Sequence, residues 1–295
     1  MELRVLRYFI TVVGERNISR AAEKLHVSQP TISRQLKDLE TELGVTLFER
    51  GQHNITLTPA GDYFAKQARQ ILTLADKTVG NLQQTPELTG QVLIGCAEAP
   101  LMTTVAAASQ QLHRSAPKIK MSFTSTDATG VEQQMRAGIL DFGVIMEPHD
   151  KTGFNFLSLP GTTTWGLLLR RDDPLATQPT IHPADLTKLP LIVSQQHGTN
   201  ELFDQWLGSN QIHLQVVAQY NLLYNASLLA QAGLGAVLCL DGIINTTGSE
   251  LVFVPLAPRL DAHASLIWSR DLPLSGAAQA FLEAVKAQVA PTKKR

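Results

Sequence analysis

Up to about residue 84 the apolar positions of the chain recur at helical spacing; from Gly90 onward, short β-prone runs alternate with helical stretches. A three- to four-residue recurrence lets a helix bury one face, while the alternation marks parallel α/β units. The chain is therefore expected to divide near the segment Gln84 to Gly90, where Pro86 stops a helix and Gly90 precedes a strand. In the α/β part, QVLIGCA, IKMSFTS and DFGVIM read as strands, with helices at 101–114 and 130–138 between them. After the loop Pro160-Gly161-Thr162 come WGLLLR (165–170), PLIVS (190–194), LQVVAQY (214–220) and AVLCL (236–240), with helices near 199–208 and 225–233. SLIWSR and a helix over about 276–289 make a final strand-helix unit, and the basic tail Lys293-Lys294-Arg295 is expected to be solvated.

The most informative pattern lies at 18–43. Ile18, Ala21, Ala22 and Leu25 form one helical face, which Asn17 or Ser19 can cap. His26-Val27 makes a short turn. Ser28 then caps a second helix, with Pro30 tolerated in its first turn, where a missing N–H costs nothing. Ile32, Leu36, Leu39 and Leu43 are its buried stripe, and Gln29, Thr31, Ser33, Arg34 and Lys37 its polar face. Two short helices, a tight turn and hydrogen-bonding groups crowded at the second helix's start suit a helix-turn-helix entering a major groove. Gln and Arg can bind base edges bidentately, while Ser, Thr and Lys suit phosphates. The same periodicity also fits a three-helix interaction module whose polar face meets only water.

Downstream, Val45 to Arg50 and Ile55 to Thr58 are short β-prone runs around Gly51-Gln52-His53-Asn54, a hairpin or wing with Arg50 and His53 placed to meet DNA backbone or minor groove. Thr58-Pro59 opens a long helix in which Phe64, Ala68, Ile71, Ala75, Thr78 and Leu82 recur at 4-3-4-3-4 spacing. At about 1.5 Å per residue it would run nearly 40 Å, and a solitary helix of that length is expected to pair with a second copy. Packing against its own α/β part is the alternative.

Composition narrows the class. With 295 residues, about two domains are expected at roughly 100–200 residues each, and 44% hydrophobic content supports a real core. Two cysteines, Cys96 and Cys239, make no disulfide framework, and no zinc-ligand spacing occurs, so a reducing cytoplasm fits. The start has acids at both ends and no small-residue cleavage site, unlike a signal peptide. The stretch from Leu222 to Leu240 is interrupted by Asn225, Ser227 and Gln231 and reads as a buried helix and strand, not a membrane span. The net charge of -1 looks wrong for a nucleic-acid binder. It averages two unlike parts: residues 1–77 carry eleven Lys/Arg against nine Asp/Glu, and the rest fourteen against seventeen.

The residues AAEKLHVSQPTISRQLKDLETELGVTLFERG at 21–51 and ITLTPAG at 55–61 resemble the LysR-type transcriptional regulators, and the layout after residue 90 is similar to theirs. The resemblance implies a winged helix-turn-helix over 1–58 and a dimerisation helix and hinge over 59–89. It implies a periplasmic-binding-protein-like effector domain of two α/β subdomains, one from 90–163 and 266–295, the other from 164–265. Two strands near 162–166 and 264–268 would cross between them. By position, Gln29, Pro30, Thr31, Ser33 and Arg34 would make the recognition-helix contacts and Arg50 the wing contact; the residue types themselves add Ser28 and Lys37 on the helix and His53 in the wing. Phe64, Ala68, Ile71, Ala75 and Leu82 would pair two linker helices. Implied partners are double-stranded DNA at interrupted palindromes, a small-molecule effector, RNA polymerase and further copies of the chain as a dimer or tetramer. No cofactor and no metal are implied.

In such a fold, ligands bind between subdomains at strand ends and helix starts. That singles out Glu98 and Ala99 after the first strand, Thr126 and Asp127 after the second, and Glu147 after the third. Trp165, Ser194, Tyr224, Asn225, Ser227 and Asp241 hold comparable places in the second subdomain. Each also fits a local duty as a cap or turn residue. Many relatives carry a Ser or Thr near Ala99 to hold a carboxylate; here Ala99 lacks a hydroxyl and Glu98 adds negative charge. An effector presenting hydroxyl or amine groups to Glu98 is therefore expected.

Other functions fit less well. No phosphate-binding G-x-x-x-x-G-K-[ST], G-x-S-x-G or H-E-x-x-H occurs, the eight histidines are scattered, and both cysteines sit in apolar strands, so an enzyme is not expected. A free solute-binding protein has no use for residues 1–84, and an architectural DNA binder none for some 200 residues of α/β structure.

Overall fold

The computed structural model describes residues 1–50, 55–82, 88–187, 189–195, 199–208 and 214–290. They form two compact units, Met1–Gln84 and Thr85–Arg295.

The first unit runs α1 (Leu3–Glu15), α2 (Ile18–Leu25), α3 (Gln29–Leu43), β1 (Phe48–Arg50), β2 (Ile55–Leu57) and α4 (Pro59–Leu82). Three helix starts are set by side-chain caps. Asn17 accepts from the Arg20 N–H at 3.0 Å, Ser28 from Thr31 at 3.3 Å and Thr58 from Gly61 at 2.9 Å. Such caps satisfy N–H groups that a helix cannot bond internally, each worth about 0.5–2 kcal/mol. Phe9 of α1 centres the core, its ring 5.1 Å from Phe48 and 5.0 Å from Phe64. Around it Leu6, Val12, Ala21, Ala22, Ile32, Leu36, Leu39 and Leu47 are buried. The wing is antiparallel, pairing Phe48 with Leu57 and Arg50 with Ile55. The expected run from Val45 contributes only its last three residues to the ladder, because Leu47 turns into the core. Gly61 is dictated by close approach: a Cβ there would lie 2.0 Å from the Leu47 carbonyl oxygen.

The second unit begins with β3 (Gly90–Cys96), α5 (Met102–Ser115), β4 (Ile119–Ser125), α6 (Ala128–Arg136), β5 (Phe142–Met146) and β6 (Phe154–Ser158). It continues with β7 (Thr163–Arg170), a 3-10 turn at Pro174–Thr177, α7 (Pro183–Leu186), β8 (Pro190–Ser194), α8 (Thr199–Leu207) and β9 (Gln215–Tyr220). Then follow α9 (Leu223–Gln231), β10 (Ala236–Leu240), β11 (Leu251–Pro255), β12 (Asp261–Ala262), β13 (Ala264–Ser269) and α10 (Gly276–Val289).

Two sheets result, ordered β4-β3-β5-β13-β6 and β11-β7-β10-β8-β9, with β12 beside β7. The strands β4, β3 and β5 are parallel, as are β10, β8 and β9; β13 and β7 run antiparallel to their neighbours. Helices cover both faces of the central strands, so AVLCL of β10 and FGVI of β5 are wholly buried. The chain crosses between sheets twice, over 159–162 and at His263. Thr163 therefore pairs in the second sheet, and Ala264 and Ser265 in the first, one or two residues from the expected boundaries. The edge strands β6 and β11 were not foreseen: both are antiparallel partners of strands distant in sequence. The stretch from Leu222 to Leu240 forms α9 and β10. Among the described residues, no helix is long and apolar enough to cross a membrane. The expected linker positions Gln84 to Glu87 and the tail Lys293 to Arg295 lie outside the described residues.

Candidate nucleic-acid interface and effector cleft

The face of α3 opposite Ile32, Leu36 and Leu39 is a ready polar surface. Gln29, Pro30, Thr31, Arg34 and Lys37 are exposed and Ser33 is half-buried. The Arg34 side chain is 84% exposed, with Nε 3.9 Å from Asp38 Oδ2, a contact too long and wet to tie it down. Ser28 both caps the helix and shares a 2.7 Å hydrogen bond with the Thr31 hydroxyl, so these two orient each other. The open N–H groups and positive dipole end of this first turn favour a phosphate.

The acids of the head are largely engaged away from that face. Glu40 Oε1 accepts the backbone N–H of Leu47 at 2.7 Å and of Phe48 at 3.1 Å, tying the reading helix to the wing. Glu15 pairs with Lys24 at 2.6 Å, which with its hydrogen bond holds the Glu15 carboxyl below its usual value. Arg50 ends β1, next to the wing tip, but its side chain and the whole of His53 lie outside the described residues.

The structure corrects the expected seam of α4 at two positions, while Ile71 stays exposed as that seam requires. Phe64 and Ala68 pack into the head's own core, Phe64 edge-on to Phe9, because α1 already occupies that side. Ala75 is half-buried, and the side chain of Leu82 lies outside the described residues. Among the described residues, the large hydrophobic side chains that α4 leaves exposed are Tyr63 near its start, at 67%, and Ile71, Leu74 and Val79, at 38%, 44% and 54%.

Between the two sheets of the second unit lies a cleft of about 60 Å³. At roughly 10–15 Å³ per water it holds a few waters or one small group. Four expected residues, Glu98, Glu147, Trp165 and Ser194, line it, together with Met146, His149, Leu202, Tyr220, Asn221 and Leu240 among others. The rest fall elsewhere. Asp127 caps α6, accepting from Gly130 at 2.7 Å, and Ser227 donates to its own helix at Tyr224 O, 2.7 Å away. Asn225 is exposed in the first turn of α9, and neither Ala99 nor Thr126 is among the lining residues. Tyr224 and Asp241 are exposed and also outside the lining. His149, Tyr220 and Asn221 were missed; their signal was a position at or just beyond the end of a strand, which many other polar residues share.

The Trp165 indole lies 9% exposed, packed edge-on against Phe203 at 5.0 Å, and its Nε1–H has no hydrogen-bond partner among the described residues. His149 Nε2 is likewise without a hydrogen bond, 3.5 Å from Glu132 Oε2. A buried unpaired donor costs about 1–3 kcal/mol, so such groups mark places where a ligand atom or water belongs.

Glu147 is engaged through one carboxylate oxygen, Oε1. Its carboxylate accepts from Ser265 and, at 2.7 Å, from Lys151, while its N–H donates to His263 O at 2.9 Å. Burial pushes this carboxyl up, but those hydrogen bonds and the charges of Lys151 and His263 leave it below its usual value. Burial raises the Tyr220 phenol well above its ordinary range, and its hydroxyl donates to Leu238 O at 2.9 Å. Burial also raises both thiols, assisted by Glu98 at Cys96 and by Asp241 at Cys239, which makes them poor nucleophiles.

Comparison with known proteins agrees with this division. Residues 3–62 match the bacterial regulatory helix-turn-helix proteins of the lysR family, and residues 86–290 match the LysR substrate binding domain. The Hca operon transcriptional activator HcaR of Escherichia coli is 28% identical over 98% of this chain and 99% of its own length. ClcR, an HTH-type transcriptional regulator of Pseudomonas putida, is 29% identical over 92% of this chain and 94% of its own. The crystal structure of CbnR, a LysR family transcriptional regulator, superposes with a TM-score of 0.74 at 23% identity, covering 99% of this chain and 100% of that one. Full-length CbnR complexed with its target DNA gives 0.71 at 24% identity, covering 98% and 100%. The chain is thus a member of the LysR family: a transcriptional regulator, not an enzyme, with a DNA-binding helix-turn-helix head and a substrate-binding effector domain.

Proposed function

We propose that this regulator reads its operator through the first two turns of α3 and answers a small molecule held in the cleft beside Trp165. Gln29, Ser33 and Arg34 face base edges; Ser28, Thr31 and Lys37 hold phosphates, and Arg50 and His53 extend the contact from the wing. The exposed apolar stripe of α4 pairs two heads, so that a dimer or tetramer spans an interrupted palindrome beside a promoter, within reach of RNA polymerase in the cytoplasm. Effector in the cleft shifts the population between two arrangements of the sheets and so the spacing of the heads. The observation that carries the cleft reading is the unpaired, nine-tenths buried indole N–H of Trp165.

The experiment is a gel shift on DNA beside the protein's own gene at stated salt, with metabolite sets added. Trp165→Phe keeps an aromatic ring but removes the N–H together with the five-membered ring that carries it. It should leave basal DNA binding intact and abolish the response to whichever metabolite alters the wild-type shift. An unchanged response would exclude Trp165 from the site, and absence of sequence-specific binding by folded oligomer would overturn the whole reading.

A further inference from the structure

The loop after β3 and the start of α9 belong to opposite sheets, yet they are joined directly. The Leu223 N–H donates to Glu98 Oε2 at 3.1 Å, across 125 positions of sequence. Leu223 is the first residue of α9, and Leu222 before it has no side chain able to cap. The carboxylate of Glu98 therefore serves as the missing cap, sitting where the helix's free N–H groups and dipole attract negative charge. Beside it the two halves touch again: a Cβ on Gly242 would come 2.9 Å from Pro100 Cγ.

The surrounding charge points the same way. The lining contains two carboxylates, Glu98 and Glu147, and among its described residues neither Lys nor Arg. Lys151, near its rim, is engaged by Glu147 and lies 4.1 Å above the Phe156 ring. Among its described residues the cleft offers the unpaired Trp165 N–H as a donor, and His149 with Nε2 unpaired, but no Lys or Arg to balance a third anion beside Glu98 and Glu147.

We propose that Glu98 is a tethered carboxylate ligand of the cleft: it clasps the two sheets at the start of α9 and, by filling that anion position itself, restricts the effector to molecules without a negative charge that carry an acceptor for Trp165. This rests on the cleft being the effector site, but the clasp can be tested without any effector.

Glu98→Ala removes the γ-methylene and the carboxylate, which together correspond to acetate. Hydrogen exchange of the full-length protein, read at the Leu223 amide, therefore gives a rescue test. In Glu98→Ala the amide should exchange about ten- to a hundredfold faster, since a charge-assisted bond is lost. Sodium acetate should restore protection, acetamide, which accepts without a charge, should do so at most in part, and sodium chloride at matched ionic strength should not. Glu98→Gln, whose amide oxygen still accepts, should stay protected, and the wild type should not respond to acetate. If Glu98→Ala fails to fold, Glu98→Asp serves: its shorter arm should leave Leu223 exchanging several-fold faster. Unchanged exchange in either variant, or acetate protection of the wild type equal to that of Glu98→Ala, would overturn the proposal. Failure of the effector reading shows differently, as wild-type DNA binding deaf to every metabolite while the exchange results stand.

Discussion

Glu40, on the far half of the reading helix, holds the wing by its backbone: its carboxylate accepts the N–H of Leu47 at 2.7 Å and, beside it, that of Phe48. An acid that looks adverse for DNA binding is thus turned inward and positions β1. Glu40→Ala leaves two half-buried N–H groups unpaired and should destabilise the head by about 2–3 kcal/mol, with Glu40→Gln losing less. Urea unfolding followed by head-specific exchange checks this; equal stability of both variants and the wild type would contradict it.

A second close contact sets where α4 begins. Any side chain at Gly61 meets the Leu47 carbonyl. Gly61→Ala should cost about 1–3 kcal/mol through forced displacement, although Ala favours helix. A melting temperature at or above wild type would show that the contact relaxes freely.

Arg34 and Lys37 should separate specificity from general attraction. Arg34→Ala is expected to weaken operator binding by about 1–3 kcal/mol and much less on random DNA, as for lost base contacts. Lys37→Ala should weaken both alike and lower the salt slope by about one per head. Titrations at several salt concentrations decide; identical behaviour of the two variants would refute the assignment.

On α4 the exposed stripe, rather than the seam read from spacing, should control assembly. Leu74→Glu places charge on the unpartnered face and should shift the protein toward monomer in analytical ultracentrifugation without unfolding the head. Ala68→Glu charges a fully buried position and should unfold the head instead. A stable monomer from Ala68→Glu would restore the original seam.

The depressed carboxyl of Glu147 links stability to pH. Its proton is held less tightly in the folded state than in the unfolded chain, despite the burial that opposes this. Ionised Glu147 therefore stabilises the fold above the ordinary carboxylate value of about 4.3, and the gain fades as pH falls through the lower folded value. The difference in urea midpoint between wild type and Glu147→Gln should be present near neutrality and shrink in acid. A difference that grows on acidification would reverse the sign and contradict the assigned partners.

Local chemistry was legible in the chain. Asn17, Ser28 and Thr58 cap the helices where their types demand, because a cap and the N–H it satisfies are two or three residues apart. The buried runs AVLCL and FGVIM announced the parallel strands for a similar reason, since a strand covered on both faces is apolar throughout. The long-range partners were not legible. The spacing of α4 could mark a seam but could not say that α1 already fills the side holding Phe64 and Ala68. Asp127 and Ser227 occupy the right kind of position for ligand contacts, yet each satisfies its own helix.

The net charge of -1 posed the same problem, because a sum over 295 residues cannot say which acids face outward. The amino-acid sequence by itself determined the winged head, the α/β remainder and the polar face of α3, all written in interactions a few residues long. Tertiary structure alone decided that Glu40 secures the wing, that Glu98 clasps α9 across the cleft, and that Trp165 keeps an unpaired N–H there. Those facts depend on groups brought together from 7 to 125 positions apart, and only the packed fold sets their distances.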